Sequence, residues 1–277
     1  MKLSFLPLIA VVSVCSPASV SAASYASSVI QYNAGVGAAS GYQDSSTALG
    51  EPSRVTPAGA ADAAVTPFNP PWTPSQLVSI GKGGSLTLQV SSSIQNDPSH
   101  AYGVDFILFG NNGFQVTDYN VPPQNWTTDG SLFTFDPAGS SVVSVSENGT
   151  DFYRLVPPSG VSATVDGLFP TDAEGSFVFP VDPHLTAGSF AGKDLSGMRA
   201  LYAGSAGGAG FDLAWAQTAD GKSAGISIAN YVRVDVLDGK VEVDALSVVP
   251  EPSSALLALL GFGVLSLRRS FRLRSHA

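Results

Sequence analysis

The sequence has almost no cysteine: its single copy among 277 residues is Cys15, inside an apolar N-terminal stretch. The remainder therefore folds without a disulfide, through burial alone or with bound ions. Charged residues are also scarce, at 13%, about half the usual share. Surface polarity consequently has to come from Ser, Thr, Asn and Gln, a composition common in exported proteins.

Basic residues are especially rare in the central part of the chain. Lys2 and four arginines near the C-terminus account for five of the 13 Lys and Arg residues. Eight basic residues remain against 22 acidic ones, so the exported part of the chain has a net charge of about −14. Such a charge repels the phosphate backbone of nucleic acids, so we expect no nucleic-acid partner. Asp outnumbers Glu 17 to five, and many of the aspartates stand beside Gly, Pro, Asn or Ser. This favours turns and leaves calcium binding as the alternative.

Sustained helical periodicity is missing, and 29 Gly and 19 Pro argue against long helices. Apolar and polar residues alternate instead, with the period of two that half-buried strands show. One run, 104–109, is almost continuously apolar and indicates a strand covered on both faces. Further strands are predicted at 85–90, 141–146, 177–179, 232–236 and 241–244.

Turn signals separate these segments. The Asp-Gly pair at 238–239 predicts a tight type I′ hairpin, and the Asn-Gly pair at 148–149 predicts a second hairpin. Two irregular regions are predicted to be long loops: 50–74, which holds six prolines, and 185–210, rich in Gly and Ala, with at most one helical turn. We therefore predict an all-β fold, an antiparallel β-sandwich or jelly roll with long Pro- and Gly-rich loops.

The N-terminus has the layout of a secretory signal peptide. Lys2 supplies a positive start, residues 3–14 form an apolar stretch, and small residues continue to Ala22 and Ala23. The apolar stretch is too short to span a bilayer comfortably, which favours a cleaved signal over a retained anchor. We predict export through the translocon and cleavage after Ala22 or Ala23.

The C-terminal segment combines three features in a fixed order. A short motif with two prolines forms an extended segment that a processing enzyme can grip. An uncharged apolar run at 253–267 follows; it predicts a hydrophobic helix barely long enough to enter a bilayer, with a basic end kept on the cytoplasmic side. The motif consists of Val249, Pro250, Glu251 and Pro252, and the basic end of Arg268, Arg269, Arg272 and Arg274.

This arrangement resembles the PEP-CTERM sorting domain in order, spacing and position. The resemblance implies processing by an exosortase, a membrane-embedded cysteine transpeptidase, in a Gram-negative bacterium that usually also makes exopolysaccharide. It implies transient anchoring in the inner membrane and delivery to the cell surface or extracellular matrix; a plain C-terminal tail anchor is the alternative. We predict three parts: a signal peptide at 1–23, a β-sandwich domain at 24–246 and a sorting tail at 247–277.

Two aspartates stand out inside apolar segments. Asp105 and Asp212 each interrupt such a segment, and a buried charge needs a partner. They predict a shared cation or ligand site at one end of the sandwich, calcium being the candidate ion. The alternative is a hydrogen-bonded turn or a pair with an arginine.

Both histidines of the central body follow Asp-Pro pairs. Asp97 precedes His100, and Asp182 precedes His184. Two histidines and two aspartates are suitable ligands for a transition metal if the fold brings them together. Capping of two separate loops is the alternative.

Several aromatic residues are candidates for a sugar platform, with Trp126 favoured because it lies in a predicted loop. Burial in the core is the alternative for each of them. The segments 104–111, 207–215 and 231–234 also resemble uncharacterised bacterial surface proteins whose folds are like galactose-binding jelly rolls. The full set of aromatic candidates is Trp72, Tyr102, Tyr119, Trp126 and Trp215.

Catalytic signals are weak. No Gly-x-Ser-x-Gly motif joins a strand to a helix, and Glu147 and Glu174 are the candidate pair for glycosidase chemistry. We therefore predict a non-enzymatic surface or matrix protein, structural or adhesive in the envelope or exopolysaccharide, without a required cofactor. The alternatives are a calcium-assisted carbohydrate-binding module and a secreted glycan hydrolase.

Overall fold

Strands dominate the fold. The computed structural model describes residues 23–57, 63–133 and 139–251. All pairs between strands are antiparallel in these residues, and they form a nine-stranded sheet and a two-stranded sheet. The predicted all-β, antiparallel, sandwich-like fold is confirmed. In chain order the strands are β1 (Ser24–Asn33), β2 (Val78–Gly81), β3 (Ser85–Gln95), β4 (Phe106–Phe109), β5 (Ser140–Ser146), β6 (Tyr153–Leu155), β7 (Ala209–Phe211), β8 (Ala216–Gln217), β9 (Ile228–Asp238), β10 (Lys240–Val243) and β11 (Ala245–Val248).

The larger sheet changes direction at β1. Its strand order is β7-β4-β11-β1-β3-β9-β5-β6-β8, while β10 pairs with β2. The first residues of β1, Ser24 and Tyr25, pair with β11, and the strand pairs with β3 from Ala26 onward. Two register shifts along β1 mark bulges, which bend and twist a strand. The sheet therefore curls around one apolar interior.

The main core fills this curl. Leu86 of β3 stands opposite Val234 of β9, and Leu88 stands opposite Val232; all four side chains are buried. The residues between them on each strand point away from this core, as the period of two requires. The predicted alternating strands at 85–90 and 232–236 are therefore confirmed.

Strand β4 is buried on both faces. Phe106 and Leu108 belong to the main core, whereas Ile107 and Phe109 pack with Phe177 in a small separate cluster on the opposite face of the strand. The strand lies between β7 and β11, so both of its edges are paired. This explains why its sequence is apolar at every position.

One of the two predicted hairpins is wrong and the other is confirmed. Strands β9 and β10 flank Gly239, but β10 pairs with β2, so the 238–239 turn carries the chain from one sheet to the other. Neither the alternation of apolar residues nor an Asp-Gly turn specifies which strand pairs with β10. The turn at 148–149 does join paired strands, β5 and β6, and Asn148 Oδ1 accepts backbone hydrogen bonds from Thr150 and Asp151, both at 2.9 Å.

Two other local predictions are wrong. Residues 177–179 form a turn, in which the Phe177 carbonyl accepts a hydrogen bond from the Ser247 hydroxyl. The region 185–210 contains two helices, α1 (Ala187–Phe190) and α2 (Leu195–Tyr202), where at most one helical turn was expected. Helices of four and eight residues are too short to establish a visible period.

A second apolar core lies beneath the long loops. Met198 and Tyr202, four residues apart on α2, are buried beside Phe190 of α1 and the loop residue Trp126. Asp194 caps α2 by accepting a hydrogen bond from the Gly197 N–H at 2.7 Å. Short helices of this length depend on such packing for their stability.

Within the described residues, none of the helices has the length and apolar character needed to cross a membrane. The predicted apolar helix at 253–267 lies outside those residues, as do Ala22 and nearly all of the predicted signal peptide. The last strand ends at Val248, two residues beyond the predicted end of the sandwich domain at 246. The sheet thus continues up to the sorting motif.

Two aspartates, the half-buried Asp166 and the buried Asp244, tie loops to the small sheet. Asp166 accepts backbone hydrogen bonds from Asn111, at 2.7 Å, and from Glu242. Asp244 accepts two from Ser53, through the backbone N–H and the hydroxyl, both at 2.8 Å. Burial raises the pKa of Asp166 and the pKa of Asp244 to about 7, against the opposing effect of these hydrogen bonds.

We predict that the free energy of unfolding falls as the pH rises from about 4 to about 7. Both carboxyls lose their protons near pH 4 in the unfolded chain but near pH 7 in the folded chain. Between these values the folded state binds more protons, so each carboxyl lowers stability by at most about 1.4 kcal/mol per pH unit. Urea denaturation between pH 4.5 and 8 measures this slope.

The variant Asp244→Asn is expected to make the free energy of unfolding depend less steeply on pH, because it removes one of the two titrating carboxyls. Its amide oxygen can accept from the Ser53 N–H, and its NH₂ can donate to the Ser53 hydroxyl, so the hydrogen bonds survive. Asp118→Asn is the matched control, because Asp118 lies in an exposed loop and accepts from the Asn120 N–H at 2.8 Å. Equal slopes for wild type and Asp244→Asn would contradict the assignment.

Candidate functional site

Asp105 is the centre of a buried polar cluster at one end of the larger sheet. It precedes β4, its side chain is 0% exposed, and burial raises its pKa to about 6. Its backbone N–H donates to the Phe211 carbonyl at 2.8 Å, and its carbonyl accepts from Val249 at 2.9 Å. The residue therefore connects β7 to the start of the sorting motif.

The Asp105 carboxylate accepts hydrogen bonds from three residues on two segments, the turn at 97–100 and the turn after β7. Oδ1 accepts from the Asp97 N–H at 3.2 Å and contacts His100 Nδ1 at 2.8 Å. Oδ2 accepts from the Leu213 N–H at 2.8 Å. These hydrogen bonds offset the cost of burying the carboxylate.

Asp212 lies beside Asp105, at the end of the β4–β7 pair. It is half-buried, and its Oδ1 accepts from the Ala214 N–H at 2.7 Å, which caps a short 3₁₀ turn, Leu213–Trp215. Burial raises the pKa of Asp212. The two aspartates share one end of the fold, but the oxygens of Asp105 already accept from protein donors, and a cation between the two stays a prediction.

The two histidines have different surroundings. His100 is buried beside Asp105, and its other ring nitrogen, Nε2, lies 3.8 Å from Glu251 Oε1. His184 is exposed, and its Nδ1 contacts Asp182 of its own turn at 3.0 Å. In the described part of the chain, Asp182 and His184 belong to no group of three or more potential metal ligands.

The sorting motif begins inside the fold. Val249 is buried in the cluster with Ile107 and Phe109, Pro250 is partly exposed, and Glu251 is exposed. Pro252 and the four arginines of the basic end lie outside the described residues.

A pocket of about 570 Å³ opens beside the second core. Trp126 forms part of its wall, is only 7% exposed, and donates its indole N–H to the Val121 carbonyl at 3.2 Å. Tyr119 packs edge-on against Trp126, at 5.6 Å between ring centroids, and is 56% exposed. Of these two rings, that of Tyr119 is the accessible one, whereas the ring of Trp126, which the sequence favoured, is buried.

The remaining pocket walls are apolar or carry amides and hydroxyls. None of the described residues that line the pocket is charged. This combination of aromatic rings with a few neutral polar groups is typical of small-molecule sites. The aromatic residues are Phe68, Tyr119, Trp126 and Phe133, and the polar ones are Thr66, Asn69 and Gln124.

The candidate glycosidase carboxylates do not line this pocket. Glu147 is exposed in the β5–β6 loop, and Glu174 is exposed and pairs with Arg199 at 2.8 Å. The same arginine contacts the buried Asp172 at 2.6 Å. These contacts give Glu174 a place in a surface ion-pair network.

Fold and chain end together define the class: a sandwich-like β-domain whose last strand leads directly into a sorting segment. Residues 248–274 match the family described as the PEP-CTERM protein-sorting motif, so the chain carries that motif and its predicted presence is confirmed. The motif makes the protein an exosortase substrate that is exported and directed to the cell surface. No curated protein matches the sequence.

We predict that Asp105→Ala lowers the free energy of unfolding by about 3 kcal/mol or more, because it leaves several buried donors without an acceptor. Asp212→Asn is the control, because asparagine caps a helical turn about as well as aspartate. Its effect should be below about 0.5 kcal/mol. Urea denaturation of both variants at pH 7 checks this, and equal losses in the two would refute the central role of Asp105.

Proposed function

We propose that the protein is a non-enzymatic, adhesive component of the bacterial surface that binds a neutral glycan in the pocket beside Tyr119. The observation that supports this proposal is the exposed ring of Tyr119 in an aromatic pocket whose described lining residues carry no charge. Aromatic faces pack against the C–H faces of sugar rings, while amides and hydroxyls bond sugar hydroxyls.

Charge favours a neutral ligand. The exported part has a net charge of about −14, which repels polyanions over a range set by the ionic strength. An acidic exopolysaccharide would therefore be disfavoured. A neutral polysaccharide of the envelope or matrix meets no such barrier.

The proposed binding requires no calcium. No carboxylate is among the described lining residues, and the Asp105 oxygens accept hydrogen bonds within the protein. The calcium-assisted version of glycan binding, with Asp105 and Asp212 as ligands, is therefore less well supported than binding through the aromatic pocket alone.

We extend the proposal to the route of export. The signal peptide would direct the chain through the translocon of a Gram-negative bacterium, and the tail would anchor it transiently in the inner membrane until exosortase acts. The basic end and the short apolar run at 253–267 support this orientation.

We predict that Tyr119→Ala weakens glycan binding about tenfold, equivalent to roughly 1.4 kcal/mol. The loss follows from removal of the accessible ring. Binding is measured on an array of neutral oligosaccharides and with exopolysaccharide purified from the source bacterium. Tyr102→Ala is the matched control, because Tyr102 is 48% exposed but does not line the pocket.

EDTA should leave this binding unchanged, and the bound glycan should keep its length during incubation. Binding that is equally strong in Tyr119→Ala and wild type would refute the pocket assignment. Shortening of the glycan that Glu174→Gln abolishes would instead establish the hydrolase alternative.

A further inference from the structure

One buried nitrogen in the Asp105 cluster makes no hydrogen bond within the described part of the chain. The side chain of His100 is 1% exposed, and its Nε2 has no hydrogen-bond partner among the described residues. Buried polar atoms are normally satisfied, so this nitrogen is suited to bind an ion or a water molecule.

The tautomer of His100 follows from its other contact. Asp105 Oδ1 already accepts from the Asp97 N–H, and its contact with His100 Nδ1 is 2.8 Å long. A carboxylate accepts only, so Nδ1 carries the proton in this pair. In the neutral ring, Nε2 then presents its lone pair.

Two carboxylates surround this lone pair. Ligating atoms of Asp97, His100 and Glu251 all lie within 4.8 Å of one another. The distance from Nε2 to Glu251 Oε1, 3.8 Å, is too long for a hydrogen bond. Such spacing suits atoms that share one ion, because metal bonds of about 2.0–2.2 Å separate neighbouring ligands by roughly 3–4 Å.

The backbone holds each of the three residues in place. Asp97 begins a turn in which its Oδ1 accepts from the Ser99 N–H at 2.8 Å and its carbonyl accepts from the His100 N–H at 3.0 Å. Glu251 follows two residues after Val249, whose N–H donates to the Asp105 carbonyl at 2.9 Å. The three side chains therefore converge through fixed main-chain hydrogen bonds.

We propose that Asp97, His100 Nε2 and Glu251 bind a divalent transition-metal ion, for which zinc is the best fit. One imidazole and two carboxylates favour zinc over calcium or magnesium, which prefer oxygen ligands alone. Asp105 stands behind the ring as carboxylates do behind metal-bound histidines. The ion would replace the hydrogen bond that the Asp97 and Glu251 carboxyl groups otherwise make with each other.

A bound ion would hold the start of the sorting tail against the domain. Glu251 is the glutamate of the sorting motif, so a bound ion would join the motif to the turn before β4. This inference is independent of glycan binding, since none of its residues lines the aromatic pocket.

The test uses the full-length chain in mild detergent, without a histidine tag, stripped with EDTA and dialysed. Titration with zinc chloride in a calorimeter should show uptake of one ion per chain, together with a rise in melting temperature. Cobalt(II) should give the visible absorption of a low-coordinate nitrogen–oxygen site.

Asp97→Asn and Glu251→Gln should each weaken zinc binding at least about tenfold. Both are chosen to preserve folding: asparagine still accepts from the Ser99 N–H, and Glu251 is exposed. His184→Gln is the matched control, because His184 is an exposed histidine beside an aspartate, and its zinc affinity should equal that of wild type.

The competing arrangement is a doubly protonated His100 that pairs with Asp105 and Glu251 and needs no ion. Absence of zinc uptake by the folded wild-type chain would overturn the proposal in favour of that arrangement. So would an affinity unchanged in both Asp97→Asn and Glu251→Gln, or one abolished by His184→Gln.

Discussion

The burial of the Asp105 carboxylate is the constraint on which the end of the larger sheet and the start of the sorting motif both depend. A charge without water is tolerated only when donors surround it, and three residues on two segments of the chain supply them. Its main chain meanwhile pairs with Phe211 and Val249. The loop before β4, the turn after β7 and the residue that opens the motif are therefore held by one residue.

Carboxylates that accept backbone hydrogen bonds also connect other segments of this domain, which has no disulfide. Asp166 and Asp244 accept backbone hydrogen bonds from other segments, at the expense of burying a carboxyl group. At the surface, Asp44, Asp129 and Asp194 accept from N–H groups two or three residues ahead and so close turns or cap a helix. The excess of Asp over Glu thus follows from short carboxylates that tie the backbone together.

Local patterns determined much of the fold, and the failures at β10 and at Glu251 have one cause, the long-range pairing of strands. Strands β3, β4 and β9 were predictable because the spacing of apolar residues along a strand indicates which of its side chains are buried. The partner of β10 was not, because pairing with β2 is a long-range choice. Asp105 was identified because an acid inside an apolar run needs partners, whereas the approach of Glu251 to His100 depends on β11 pairing with β4, which no local pattern encodes.

The most direct test of the account is the intact mass of the chain isolated from its native host, with and without exosortase. The account predicts a chain shortened at both ends in the wild-type strain, with a C-terminus near Glu251. Without the enzyme, the chain should extend to Ala277. A C-terminus at Ala277 in both strains would contradict sorting by exosortase and would leave the tail as a simple membrane anchor.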